Sequence, residues 1–226
     1  MPAWRGLPSK RLKGLDLLAE SRAFAERLSS VLNSTIATGV RLSAVETNRG
    51  EVLVGCGVSK RDVDPCAFQL NRGPAGQSLW MLVSYRLGPD TEREHLQVST
   101  SVIALTADLE GKSELLHFDY EREKRDDYPE AHLQVVASSE AWDAISPRPL
   151  RRLHLPVGGR RFRFTLEDVA EFLIREKLVS PSRLATSTIT AHRAMFERDQ
   201  LRAAIRRDPQ TARDYLAGLD AAEQAK

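Results

Sequence analysis

The fold is decided by residues 77–105. They begin QSLWMLVSYRL at 77–87 and, after a short turn, continue EHLQVSTSVIAL at 94–105. In the first segment Leu79, Met81, Val83, Tyr85 and Leu87 take alternate positions, and in the second Leu96, Val98, Thr100, Val102 and Ala104 do. A strand sends successive side chains to opposite faces, so this alternation predicts two half-buried strands. Gly88-Pro89-Asp90 and the acidic residues after it supply the turn between them.

The same reading extends in both directions. Val40–Thr47, Glu51–Val58 and Cys66–Leu70 are short and rich in Val and Leu, and Asn48-Arg49-Gly50 reads as a tight hairpin connection. Gly55-Cys56-Gly57 inside a strand pattern predicts a bulge or a close approach of another backbone. Glu114–Glu121 and Ala131–Ala137 complete about seven strands. No crossover helix separates them, so neighbours are expected to pair antiparallel as a meander.

Helical periodicity brackets this block. Leu15, Leu18, Ala25, Leu28 and Leu32 mark an amphipathic helix from about Leu12 to Leu32, ended by Asn33-Ser34 and Gly39. After Ser146-Pro147-Arg148-Pro149, Arg151–Val157 is expected to add an edge strand with Pro156 at its end. Thr165 is the expected N-cap of a helix reaching about Leu178, with Glu167 and Asp168 in its first turn. A second helix runs from about Ser187 to Arg207, and Asp208-Pro209 starts a third.

The expected fold class is therefore α+β: an antiparallel meander of about seven strands, an N-terminal helix and a C-terminal three-helix segment. A sheet curled into a half-barrel is the alternative. Residues 1–11 read as a loose tail, 12–145 as helix plus sheet, and 146–226 as a basic linker, edge strand and helices packed on the same domain.

Composition narrows the class of protein. Of 226 residues 42% are hydrophobic and 28% charged, too apolar and too evenly charged for a disordered chain. No apolar run approaches the roughly 20 residues needed to span a bilayer, so no membrane partner is expected. The N-terminal residues lack the apolar core of a signal peptide, and a cytoplasmic location is the expectation. Cys56 and Cys66 match neither a zinc nor a redox spacing and are expected as free thiols. Seven of the 33 basic residues are Lys and 26 are Arg, a bias usual in GC-rich bacterial genomes.

Two constellations carry chemistry. The first lies on the hairpin of residues 114–121 and 131–137. Aligning the apolar faces fixes the register, because a one-residue slip would turn one strand over. His117, Asp119, Glu121, His132 and Gln134 then share a surface, with Asp119 opposite His132 when pairing starts at the loop. His117, Asp119 and His132 are the candidate catalytic residues of a small nuclease or phosphodiesterase. A carboxylate orients an imidazole and raises its basicity, and two imidazoles with a carboxylate can also begin a metal site. The plain alternative is a polar sheet face with an ordinary cross-strand pair. No spaced metal motif and no phosphate loop is present, so no cofactor is expected.

The second constellation is basic. Arg148, Arg151, Arg152, Arg160, Arg161 and Arg163 lie within residues 148–163, which contain no acid. This Arg-rich strip is the candidate binding surface for phosphate groups of a nucleic acid or nucleotide, or for an acidic protein. It could instead pair internally with the acidic residues 121–130. The sequence thus favours a non-enzymatic interaction or ligand-binding module. The His/Asp nuclease is the first alternative, and a structural homo-oligomer built through the helices is the second.

Overall fold

The computed structural model describes residues 14–122, 129–144, 150–157 and 163–224. Its strands are β1 (Leu42–Glu46), β2 (Val52–Cys56), β3 (Phe68–Gln69), β4 (Trp80–Pro89), β5 (Leu96–Thr106), β6 (Glu114–Glu121), β7 (Ala131–Val135) and β8 (Leu155–Pro156). Its helices are α1 (Leu17–Thr35), the single-turn α2 (Glu140–Asp143), α3 (Leu166–Arg175), α4 (Ala185–Arg207) and α5 (Pro209–Gln224). The strands form one open antiparallel sheet in the order β1-β2-β4-β5-β6-β7-β8, and β3 pairs with β4. The expected α+β meander is therefore present, and the sheet does not close into a barrel.

The central pair departs from strict alternation in one place. Arg86 pairs with Thr100 but Leu87 pairs with Val98, leaving Ser99 as the extra residue of a β-bulge. Its hydroxyl donates to the Arg86 carbonyl at 3.1 Å, and its carbonyl accepts from the Arg122 amide at 2.8 Å. An extra residue reverses the facing of everything beyond it. Leu96 and Val98 therefore share the core face with Ser101, Ile103 and Leu105, not with Thr100, Val102 and Ala104 as expected. The β4 alternation holds: Met81, Val83, Tyr85 and Leu87 are all 1% exposed or less. β4 also runs through Gly88 to Pro89, which pairs with Leu96. Pairing with β2 stops at Leu87, so a proline beyond it removes no bond from that ladder.

The helices cover one face. Ala25, Leu28, Val31 and Leu32 of α1 and Val169, Ala170 and Leu173 of α3 join the core strands in one apolar cluster, which also takes Ile189 of α4. α1 begins at the Asp16 cap, whose side chain accepts from the Ala19 amide at 3.0 Å. It ends later than expected because Asn33 does not break it. The Asn33 amide group instead donates to the Val40 carbonyl, and its oxygen accepts from the Val40 amide, tying the helix to the entry of β1. α3 has the expected Thr165 cap, and Asp168 returns a bond to the Thr165 amide, completing a capping box. Asp208 accepts from the Thr211 amide as the cap of α5.

Gly55 marks a close approach, as expected. A Cβ there would lie 2.9 Å from Pro65 and 3.1 Å from the Val83 carbonyl oxygen. The other face of the sheet carries a small apolar cluster of Val45, Leu53 and Val58, and toward β6 and β7 it becomes polar.

Candidate functional site

β6 and β7 pair in the register expected from their apolar faces. Leu116, Phe118 and Tyr120 lie opposite Val135, Leu133 and Ala131; His117 lies opposite Gln134 and Asp119 opposite His132. Phe118 joins the core beneath α3, with Phe164 at 4.7 Å and Phe172 at 6.3 Å between ring centroids. That anchoring turns the odd-numbered side chains of β6 and the even-numbered ones of β7 to the face away from the helices.

Three of those side chains converge. One nitrogen of His117, one of His132 and a carboxylate oxygen of Asp119 lie within 4.8 Å of one another. His132 is only 1% exposed, so this is not a wet surface pair. The chain returns over it as β8, where Pro156 stands opposite His132, and the His154 ring meets the His132 ring edge-on at 4.7 Å. Leu150–Arg152 forms a 3-10 turn packed against β7. His132 is buried, while His117 and Asp119 are half-exposed.

Hydrogen bonds fix which nitrogens remain available. His132 Nδ1 lies 3.1 Å from the Pro129 carbonyl, which only accepts, so Nδ1 carries the proton. His117 Nδ1 lies 2.6 Å from a Glu114 carboxylate oxygen and likewise donates. The nitrogen opposite each donor, Nε2, is then the one available as a ligand. Nε2 of His132 stands 3.5 Å from Asp119 Oδ2, beyond the usual length of a charge-assisted hydrogen bond. It is close to the spacing of about 3.4 Å between two ligands that each sit about 2.1 Å from a tetrahedral ion. Two imidazoles and a carboxylate within 4.8 Å of one another are donor types that a zinc-like divalent ion takes.

The other sequence candidates are distributed differently. Glu121 and Gln134 share the face but are not in the cluster. His95 precedes β5, beside Asp90, far along the strand from the Val102 that faces Asp119. Of the arginines, Arg148, Arg160 and Arg161 lie outside the described residues, as does the side chain of Arg152 and most of the acidic loop expected to face them. Arg151 is exposed on the 3-10 turn against β7. Arg163 is half-buried, its guanidinium 5.6 Å from the Tyr85 ring centroid and 5.7 Å from that of Phe196, on the helical side of the sheet. His192 is half-buried with Nδ1 3.7 Å from Glu167.

Two residues of consequence lay outside the sequence reading. Glu114 orients His117, but its position before Leu115 and Leu116 breaks the alternation that would have flagged it. Tyr85 was legible only as a core position; that its hydroxyl would be buried without a partner depends on α4, remote in sequence. On α4 and α5, Leu201, Ile205, Tyr215, Leu216 and Leu219 are exposed. No known protein family, no curated protein and no solved structure matches this chain.

Proposed function

We propose that this protein is a divalent-metal-dependent hydrolase of phosphate esters, with His117, Asp119 and His132 as the ligands of the ion. One observation carries the reading: the convergence of three ligand atoms within 4.8 Å, with each imidazole already oriented through Nδ1. Three protein ligands leave a fourth position for water, the arrangement of catalytic rather than structural sites. An ion held by these residues would supply hydroxide near neutral pH for attack on a phosphate ester, the ester P–O bond breaking and the departing alkoxide taking its proton from solvent.

The substrate class rests on charge placement. The turn bearing Arg151 packs on the strand bearing His132, which supports a cation near the His/Asp cluster. A guanidinium matches phosphate oxygens in geometry and charge. The reading is preferred to a purely non-enzymatic phosphate-binding strip because three ligand-type side chains converge and His132 among them is buried.

The test is hydrolysis of bis(p-nitrophenyl) phosphate by the full chain, after chelator treatment and after adding back Zn²⁺ or Mn²⁺. Activity is expected only with ion, with a loss of at least about a hundredfold in Asp119→Asn and His117→Ala. Activity indifferent to chelator, or retained in both variants, would remove the proposal.

A further inference from the structure

On the opposite side of the sheet, between β4 and helices α1, α3 and α4, lies a cleft of about 70 Å³. Its floor is Tyr85, 1% exposed, whose hydroxyl has no hydrogen-bond partner. Leaving such a group buried and unsatisfied costs about 1–3 kcal/mol, so it calls for a ligand or water that answers it. Phe24 meets the Tyr85 ring edge-on at 5.3 Å and forms one wall. Phe196 and Met195 of α4 form another.

The charges around the cleft are unequally engaged. Arg163 lies over Tyr85 and Phe196, and Arg27 lies 5.7 Å over Phe24 at the exposed rim. Neither guanidinium makes an ion pair with a described residue. Of the acids of the cleft, Asp199 pairs with Arg202 at 3.4 Å, and Glu167 lies 3.7 Å from Nδ1 of the His192 ring. Among the described residues the Arg163 and Arg27 guanidiniums have no carboxylate partner, and the buried Tyr85 hydroxyl lies beside Arg163 with Glu167 nearby.

We infer that this cleft binds a small oxyanion, the carboxylate or phosphate head of an organic molecule, between the Tyr85 hydroxyl and the Arg163 guanidinium. An oxyanion accepts from both donors at once, and a bond from a charged guanidinium is about twice as strong as a neutral one. The aromatic and Met195 walls receive the apolar part of the molecule. Space for several waters accommodates such a head group, and the rim at Arg27 is open to solvent. Burial pushes the Tyr85 hydroxyl up to about 12, with Arg163 pulling down and Glu167 pushing up, so it stays a donor throughout the neutral range. The cleft and the His/Asp cluster lie on opposite faces of the sheet, so this site stands or falls independently of the metal reading.

The experiment is thermal unfolding and calorimetric titration of the chelator-treated full chain. Sodium phosphate and sodium benzoate are compared with sodium chloride at equal ionic strength. At least one of the two anions is expected to bind saturably and raise the melting temperature above the chloride control. Phosphate alone would assign a phosphoryl head, and benzoate alone a carboxylate. Tyr85→Phe and Arg163→Gln are each expected to weaken that binding at least about tenfold, the equivalent of one charge-assisted bond. Tyr85→Phe in chloride is expected to melt no lower than the parent, since it removes the unsatisfied hydroxyl and little volume. His132→Ala is expected to respond to the anion as the parent does. If neither anion acts beyond chloride, or both cleft variants titrate like the parent, the site is overturned.

Discussion

At the scale of single residues, His132 and its neighbours concentrate the consequences. Its imidazole is buried against β8, its Nδ1 is committed to the Pro129 carbonyl, and Asp119 faces its other nitrogen. Replacing it with Ala removes a packed ring and orphans the carbonyl, so a loss of about 2–4 kcal/mol is expected in denaturant unfolding. Glu114 acts at one remove, through His117. Glu114→Gln is expected to lower Zn²⁺ affinity about 10–100-fold with little change in melting temperature, read by competition with a chromophoric chelator. The two thiols differ as well. Burial, followed by the neighbouring Cys66 thiol, pushes Cys56 up to about 11, while Cys66 is exposed. The thiolate is the reacting form, so at pH 8 iodoacetamide is expected to modify Cys66 well before Cys56, as peptide mass mapping would show. Equal rates would contradict the packing around Cys56.

Among elements, the sequence was most informative where two requirements coincided. The β6–β7 register could be read because three apolar residues on each strand had to reach the same core, which left Asp119 opposite His132. The Thr165 cap was legible from its hydroxyl and the acids after it. The face of β5 was not legible past Ser99. A bulge needs no glycine or proline, and its partner contacts come from Arg86 and Arg122 on adjacent strands. Deleting Ser99 would restore strict alternation but turn Leu96 and Val98 out of the core. That deletion is expected to destabilise the domain by several kcal/mol, whereas Ser99→Ala costs about 1 kcal/mol in urea unfolding. Thr165→Ala is expected to cost about 1 kcal/mol through loss of the cap. Between α3 and α4, Arg193 reaches Glu171 at 2.5 Å and Asp168 at 3.2 Å, and it holds the Glu171 carboxyl below its usual range. A depressed acid stabilises fully above its unfolded pKa, near 4.3, and the contribution is lost as pH falls through the lower folded value. These groups are about one-third exposed. Arg193→Ala is therefore expected to cost under about 1 kcal/mol at pH 7 and nearly nothing at pH 2–3.

For the whole molecule, the sheet divides two environments. One face is covered by α1, α3 and α4 and holds the Tyr85 cleft; the other carries the His/Asp cluster, beside the edge strand β8. Among the described residues α5 packs on little but the end of α4. A chain ending at Arg207 is therefore expected to keep the melting temperature of the full chain within a few degrees, and a large drop would mean that α5 supports the core. The composition seemed neutral because its charges are segregated. Of the arginines of 148–163, Arg151 stands on the turn that packs against β7, whereas Arg163 lies on the helical side of the sheet, a separation that spacing in the sequence does not reveal. The central claim is that His117, Asp119 and His132 hold an ion, and calorimetric titration of Zn²⁺ into chelator-treated full chain tests it most directly. The account predicts one ion per chain, with binding lost in Asp119→Asn and in His117→Ala while both variants stay folded; binding unchanged in those variants, or no binding by the parent, would contradict it.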